Sequence, residues 1–160
     1  MFTKINYDGP IAAQYTALSK QLDALLACET NTVSNLSNAS ALLNQFLTDI
    51  NWVGFYWMKN GQLILGPFQG LPACFSIPVG RGVCGTAVAE KRTMLVEDVH
   101  AFPGHIACDA ASKSEIVIPL IKDGEVIGVL DIDSPLKGRF TTDDQQGLEQ
   151  FVETLLKHIY

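Results

Sequence analysis

The chain has 160 residues, of which 48% are hydrophobic and 18% charged, and its formal net charge at pH 7 is −6. This length and composition predict a single globular domain over residues 1–160 and exclude an intrinsically disordered chain. The negative charge argues against nucleic-acid binding, and no stretch reaches the ~18 apolar residues of a membrane helix. Because the N-terminal segment lacks the apolar core of a secretory signal, we expect a cytoplasmic protein.

Two helices and a hairpin are predicted in the first third of the chain. Apolar residues recur at helical spacing over residues 10–28 and again from about Asn31 to Phe46. The period then changes, and Trp52 to Met58 has the character of a strand. Asn60-Gly61 predicts a tight hairpin turn, which leads into a return strand from Leu63 to Leu65.

The middle of the chain is dense in residues that break regular structure. Residues 66–82 contain four glycines and three prolines, so we expect no long element there, only a short strand from Phe75 to Pro78. A short helix is predicted from Gly82 to Glu90, followed by a strand from Met94 to Val99.

A loop and a second hairpin are predicted next. Residues 100–113 read as a loop with a short helical turn near Cys108. Glu115 to Ile121 and Val126 to Ile132 read as strands, joined by a Lys122-Asp123-Gly124 turn.

The C-terminal helix has the clearest pattern. Thr142 and Gln145 match a capping box, and apolar residues then recur at helical spacing as far as Ile159. Helices at both ends around a mostly antiparallel sheet of five or six strands predict an α+β layered domain.

Three of the four cysteines lie in the central part of the chain, at spacings of 10 and 24 residues: Cys74, Cys84 and Cys108. Cys74 and Cys108 fall in loop segments, where functional residues concentrate. Cys84 lies near a predicted helix N-terminus, a position that lowers a thiol pKa. Cys28 ends the first helix, and we expect it to have no redox role. The three central cysteines indicate thiol chemistry on a small polar molecule.

Three carboxylates follow these cysteines: Glu115, Asp131 and Asp133. The two aspartates are two residues apart on a predicted strand, so both point to one face of the sheet. Burial together would raise their pKa values and prepare one of them to donate a proton. The alternative is a solvated pair at the end of a strand, capping the turn that follows.

Two aromatic residues and two short motifs each have more than one interpretation. Trp52 and Tyr56 lie on one face of a predicted strand, where core packing is the simpler interpretation. His105-x-x-Cys108 has a gap compatible with metal ligation, but without a second close ligand pair no metal site is predicted. The glycine-rich segment 80–85 matches neither the Walker pattern nor the dinucleotide pattern.

Five segments together resemble the GAF-domain family of free methionine-(R)-sulfoxide reductases. They are NWVGFYW, LGPFQG, PVGRGVCGTAV, DVHAFPGHIACDAASKSEIVIPL and GVLDIDS. The resemblance runs from about Asn31 into the C-terminal helix. GVLDIDS is generic to GAF domains, whereas the three cysteines inside these segments are specific to the reductases.

The resemblance implies an oxidoreductase that reduces free L-methionine-(R)-sulfoxide without a bound cofactor. Cys108 matches the family's nucleophile, which attacks the sulfoxide sulfur and becomes a sulfenic acid. Either Cys74 or Cys84 then closes a disulfide, and Cys74 is favoured because one loop reaches another more easily than a helix does. Thioredoxin is the expected reductant.

The resemblance also implies a substrate pocket. Trp52 and Tyr56 would form a wall for the S-methyl group, and the carboxylates Glu115, Asp131 and Asp133 would meet the ammonium. The N-terminal helices have apolar faces for pairing in a homodimer. The alternative function is a GAF-type small-ligand or redox-sensing module without catalysis.

Overall fold

The computed structural model describes residues 2–106 and 108–160, which form an α+β domain. A six-stranded sheet runs in the order β3-β2-β1-β6-β5-β4, and each neighbouring pair within these residues is antiparallel. The α-helices are α1 (Ile11–Leu26), α2 (Thr32–Phe46), α3 (Gly82–Glu90) and α4 (Thr142–Leu156). The strands are β1 (Trp52–Lys59), β2 (Gln62–Gly70), β3 (Ser76–Pro78), β4 (Met94–Val96), β5 (Ser114–Lys122) and β6 (Glu125–Ser134). The predicted fold class is confirmed.

One face of the sheet carries the larger core. Alternate residues of the central strands point to this face because side chains in a strand alternate with a period of two. They pack with the apolar stripes of α1, α2 and α4. The buried strand residues of this core are Val53, Phe55, Ile116, Ile118, Leu120, Leu130 and Ile132.

The opposite face is covered by α3 and by the loops around it. Its core is smaller and includes Trp52, Tyr56, Val117 and Val129. Three carboxylates of β5 and β6 fall on this face by the same alternation: Glu115, Asp131 and Asp133. The sheet therefore separates a face that supports folding from a face that holds the candidate site.

Both predicted hairpin turns are confirmed. Asn60 and Gly61 have φ values of 52° and 77°, and Asp123 and Gly124 have 52° and 79°. Two successive residues with positive φ form the turn geometry that matches the twist of paired strands, and Asx-Gly pairs adopt it readily. These turns set the registers of β1 with β2 and of β5 with β6.

The return strand is longer than predicted, because β2 continues through Gly66 and Pro67 to Gly70. Strand β3 pairs with β2 only at residues 62–64, so Pro67 lies where β2 has lost that neighbour. A proline is tolerated at such an edge since it withdraws no ladder hydrogen bond there. The expectation of no long element across residues 66–82 was wrong for its first five residues.

The capping box of α4 begins one residue earlier than predicted. Thr141 is the N-cap, and its hydroxyl accepts from the backbone N–H of Asp144 at 3.3 Å. The Asp144 carboxylate accepts in return from the Thr141 backbone N–H at 2.9 Å. The prediction of Thr142 with Gln145 was wrong, because Tyr15 and Arg139 also bind Asp144 and so select it as the third residue of the helix.

The segment before β5 also differs from the prediction. Strand β4 ends at Val96, and the helical turn lies at Val99–Ala101 as a 3₁₀ helix instead of near Cys108. The Asp98 carboxylate accepts from the backbone N–H of His100 and so fixes this turn. Residue 107 of the predicted loop lies outside the described residues. None of the described helices has the length and apolar character needed to cross a membrane.

Candidate active site

A disulfide joins two loops on the second face of the sheet. Cys74, in the loop after β2, is bonded to Cys108, in the loop before β5, and their Cα atoms are 5.8 Å apart. Of the two remaining cysteines, Cys84 is buried and Cys28 is exposed. The pairing thus joins two of the three central cysteines and leaves Cys84 as a thiol.

The eight residues singled out from the sequence come together beside this disulfide. Seven of them line one cavity, and the eighth, Cys74, is bonded to a residue that lines it. The seven lining residues are Trp52, Tyr56, Cys84, Cys108, Glu115, Asp131 and Asp133. With the disulfide closed, the cavity measures about 40 Å³.

The two aromatic residues of β1 hold the loop that carries Cys74. The Tyr56 hydroxyl donates to the Cys74 carbonyl at 3.2 Å, and the Trp52 indole N–H donates to the Leu71 carbonyl at 3.1 Å. Phe68 stacks on Trp52 with ring centroids 5.1 Å apart, over Gly54, where a Cβ would collide with it. These residues therefore form an aromatic wall and also fix the position of a redox-active loop.

The carboxylates meet because of the strand register. Glu115 on β5 is paired with Asp133 on β6, and Asp131 lies two residues further along the same face. Glu115 and Asp131 are each only 6% exposed. The alternative of a solvated aspartate pair is therefore wrong for Asp131, while Asp133 is partly exposed.

Burial favours the protonated form of these three carboxyl groups. Burial raises the pKa of Glu115 well above its ordinary value, and the charges of Asp131 and Asp133 raise it further. Burial, then the charges of Asp131 and Asp109, likewise raise the pKa of Asp133. Burial also raises the pKa of Asp131, and the neighbouring Glu115 and Cys84 side chains oppose that rise. The three therefore titrate as a coupled group and hold a proton to higher pH than isolated carboxyls would.

The expected low pKa of Cys84 was wrong. Burial raises the pKa of this thiol well above its ordinary value, and the charges of Asp131, Glu115 and Asp133 raise it further. Its Sγ lies 3.9 Å from Glu115 Oε1, which accepts its weak hydrogen bond. The favourable field of the α3 N-terminus is smaller than the effect of burial beside carboxylates.

Three polar residues that the sequence analysis did not single out tie the Cys108 loop to the sheet. The side-chain N–H₂ of Asn51 donates to Asp109 at 2.9 Å and to Ser112 at 3.1 Å, while its backbone N–H donates to the Asp133 carbonyl at 2.9 Å. Asn51 immediately precedes β1 and is 58 residues from Asp109. Its sequence signal was its place at the start of the segment NWVGFYW, which was interpreted only for its aromatic residues.

A positively charged side chain also borders the cavity. Arg81, the N-cap residue of α3, lies at its rim and is solvent-exposed. Among the described lining residues it has the permanent positive charge, which suits a carboxylate ligand. His105 lines the cavity too, and burial lowers the pKa of its ring. In the sequence, Arg81 stands out only as part of the glycine-rich segment 80–85.

The sequence and the fold of this chain are both similar to those of known proteins. The GAF-domain family matches residues 37–157. A free methionine-R-sulfoxide reductase of Escherichia coli (strain K12) is 59% identical over 143 residues, which cover 89% of this chain and 87% of that protein.

Two solved structures agree along nearly their whole length. The fRMsr of Staphylococcus aureus in complex with substrate has 52% identity and a TM-score of 0.88, and the match covers 99% of this chain and 100% of that one. The free methionine-R-sulfoxide reductase of Neisseria meningitidis in complex with its substrate has 42% identity and a TM-score of 0.93, over 99% and 95% of the two chains.

These matches define the class of protein first as a GAF domain, by fold and by the residues that the family matches. Within that class, the chain belongs to the family of free methionine-R-sulfoxide reductases. The resemblance noted in its cysteine-bearing segments is thereby confirmed.

Proposed function

We propose that this protein reduces free L-methionine-(R)-sulfoxide to L-methionine with its own thiols. The observation that carries the proposal is the Cys74–Cys108 disulfide closed over a cavity floored by buried carboxylates. A thiol pair supplies the two electrons, and a protonated carboxylate supplies the acid that a sulfoxide oxygen needs as it leaves sulfur.

In the first step the Cys108 thiolate attacks the sulfoxide sulfur. The oxygen takes a proton and passes to the cysteine sulfur, which becomes a sulfenic acid while methionine departs. Glu115 is the proton donor that the structure favours, because it is buried and its pKa is raised by burial and by two neighbouring carboxylates. Asp131 and Asp133 line the same cavity and supply negative charge to the ammonium in their ionised form.

Two further groups hold the rest of the amino acid. The aromatic wall of Trp52 and Tyr56 is the natural contact for the S-methyl group, since sulfur and its methyl pack well on aromatic rings. Arg81 lines the rim of the same cavity, and its positive charge suits the α-carboxylate. A substrate held at its ammonium, carboxylate and methyl group can present only one face of sulfur to Cys108, which supports selection of the R epimer.

In the second step Cys74 resolves the sulfenic acid. Its thiol attacks the Cys108 sulfur, water leaves and the disulfide forms. The observed bond supports Cys74 over Cys84, whose thiol is buried and has a raised pKa. A dithiol protein of the thioredoxin type, in a reducing cytoplasm, then reduces the disulfide and completes the cycle.

The test is a single turnover with pre-reduced protein in the absence of added reductant. Wild type and Cys28→Ser should each release one methionine per chain, because Cys28 is remote from the cavity lining. Cys108→Ser should release none, since a hydroxyl is a far weaker nucleophile. The alternative, a sensor module, is favoured if wild type binds the sulfoxide but releases no methionine.

The recycling step needs its own measurement. NADPH consumption with thioredoxin and thioredoxin reductase should be sustained in wild type and stop after one turnover in Cys74→Ser. Sustained consumption in Cys74→Ser would assign resolution to Cys84, and no consumption in wild type would exclude thioredoxin as the reductant.

A further inference from the structure

Three side chains from three separate elements bring potential metal ligands together at the floor of the cavity. Cys84 lies on α3, Glu115 on β5 and Asp131 on β6. One ligand atom from each lies within 4.8 Å of the other two. All three residues are buried, with Cys84 only 4% exposed. A thiolate and two carboxylates in this arrangement suit a tetrahedral ion with one position left open.

The separation of the sulfur and oxygen atoms agrees with that geometry. Zinc bonds of about 2.3 Å to sulfur and about 2.1 Å to oxygen at a tetrahedral angle place the two ligands about 3.6 Å apart. Cys84 Sγ and Glu115 Oε1 are 3.9 Å apart. A shift of a few tenths of an ångström therefore brings this sulfur–oxygen pair to the separation that zinc needs, and the sulfur ligand favours zinc over magnesium or calcium.

An independent feature also points to a bound cation. Asp131 Oδ1 is buried and has no hydrogen-bond partner among the described residues. A buried carboxylate oxygen without a partner is costly, and a cation is the ligand that relieves it. The closed cavity of about 40 Å³ has room for an ion with a water molecule, since one water needs about 10–15 Å³.

We propose that Cys84, Glu115 and Asp131 form a reversible zinc site inside the substrate cavity. Binding displaces the thiol proton of Cys84 and the proton held by the carboxylates, and water fills the fourth position. This site is separate from the His105-x-x-Cys108 motif in the sequence. Zinc would then exclude the substrate from the carboxylates, a consequence that rests on the proposed function, whereas the binding itself does not.

The binding test uses the disulfide-linked protein, in which Cys74 and Cys108 cannot bind metal. Cadmium is the probe, because a cadmium–thiolate bond gives an ultraviolet charge-transfer band. The band should saturate at one ion per chain in wild type and in the matched control Cys28→Ser. It should disappear in Cys84→Ser, and competing zinc should abolish it. Loss of the band in Cys28→Ser, or no band in wild type, would overturn the proposal.

A second variant tests whether the Asp131 carboxylate binds the ion together with the Cys84 thiol. Asp131→Asn keeps Cys84 and the size of the side chain, so the band should remain but its cadmium affinity should fall at least tenfold. Circular dichroism checks that each variant is folded. Unchanged affinity in Asp131→Asn would overturn the three-ligand site even if Cys84 binds the ion.

The inhibition test measures methionine release in a single turnover of the pre-reduced protein, with dithiol removed. Zinc should slow release in wild type and Cys28→Ser, and excess substrate should restore the rate. Cys84→Ser should be at least tenfold less sensitive. Equal inhibition of Cys84→Ser would place the ion on the reactive thiols and overturn the inhibitory role, while the cadmium result still stands for the oxidised protein.

Discussion

Three titratable groups are buried on the face of the sheet that holds the candidate site: Cys84, Glu115 and Asp131. Burial favours the neutral form of each, and their mutual proximity strengthens that preference. In the proposed reaction, the same proximity keeps a proton available for the departing oxygen. A site built in this way opposes folding at neutral pH, because the unfolded chain ionises these groups freely in water.

Replacing Glu115 by Gln should therefore stabilise the protein at neutral pH. The folded-state pKa of Glu115 is raised above its ordinary value of 4.5, so the folded wild type holds a proton that the unfolded chain releases. Wild-type stability then falls as the pH rises above 4.5. The glutamine amide of the variant does not ionise, so the stability of the variant does not fall for this reason. We expect a gain of roughly 1–3 kcal/mol at pH 8, because a tenfold difference in proton affinity between the folded and unfolded chains corresponds to about 1.4 kcal/mol.

Thermal unfolding of disulfide-linked Glu115→Gln and wild type at pH 8 and pH 4 measures this gain. The gain should vanish at pH 4, below the ordinary value, where both states bind the proton. Glu153→Gln, on the exposed side of α4, is the matched control and should show no such pH dependence. A gain of equal size at both pH values would mean that packing, not ionisation, separates the two proteins.

Asn51 should affect the rate through the loop that carries Cys108. Its side chain is the link between Asp109, Ser112 and the start of β1. In Asn51→Ala the loop loses both bonds, and we expect kcat to fall about tenfold, the equivalent of one or two hydrogen bonds.

Steady-state kinetics with a dithiol reductant separates kcat from KM for this variant. Asn31→Ala is the control, because Asn31 caps α2 through the Ser34 backbone N–H and does not line the cavity. That change should lower stability by about 1 kcal/mol and leave kcat unchanged. If Asn51→Ala also loses only stability, the residue does not position the catalytic loop.

Among the helices and strands, local signals predicted most elements because the cause of each was local. The start of α2 near Asn31, the α3 bounds and both Asx-Gly turns follow from residues within a few positions of one another. The extent of β2 and the cap of α4 could not be predicted from nearby residues. The extent of β2 depends on where its pairing with β3 ends, and the cap of α4 depends on Tyr15. Contacts of high sequence separation decided both.

In the candidate site, too, some features could be predicted from the sequence and others could not. The shared face of Asp131 and Asp133 follows from strand alternation and was predicted. The raised pKa of Cys84 was not, because its carboxylate neighbours lie 31 or more residues further along the chain. The position of Asn51 beside Asp109 likewise depends on tertiary packing. A helix N-terminus is visible in a sequence, whereas the burial that outweighs it is not.

The cap of α4 offers a test of two adjacent threonines. Thr141→Ala should lower the free energy of unfolding by about 1 kcal/mol, because its hydroxyl is the N-cap acceptor. Thr142→Ala should change it by less than about 0.5 kcal/mol, since Thr142 is an exposed first-turn residue. Urea unfolding of both variants makes the comparison. A larger effect at Thr142 would restore the capping box read from the sequence and contradict the observed one.

For the molecule as a whole, the disulfide couples the redox state to the shape of the site. Its two cysteines come from the loops after β2 and before β5, which lie on either side of the central strands. With the disulfide closed, the cavity measures about 40 Å³, whereas sites for small molecules usually occupy about 300–1,000 Å³. We therefore expect the oxidised protein to be closed to an amino acid, so that reduction has to free the loops before a substrate enters.

Substrate should accordingly stabilise the protein only when the disulfide is absent. Cys108→Ser cannot form the Cys74–Cys108 bond or turn over, so free L-methionine-(R)-sulfoxide at about 100 times its Kd should add about 2.7 kcal/mol and raise Tm by roughly 5–10 °C. The disulfide-linked wild type should show no shift, and disulfide-linked Cys28→Ser should match it. Differential scanning fluorimetry of the three proteins, with and without the sulfoxide, gives the comparison. An equal shift in the disulfide-linked wild type would mean that the closed cavity still admits the substrate, and that opening of the loops is not a step of the cycle.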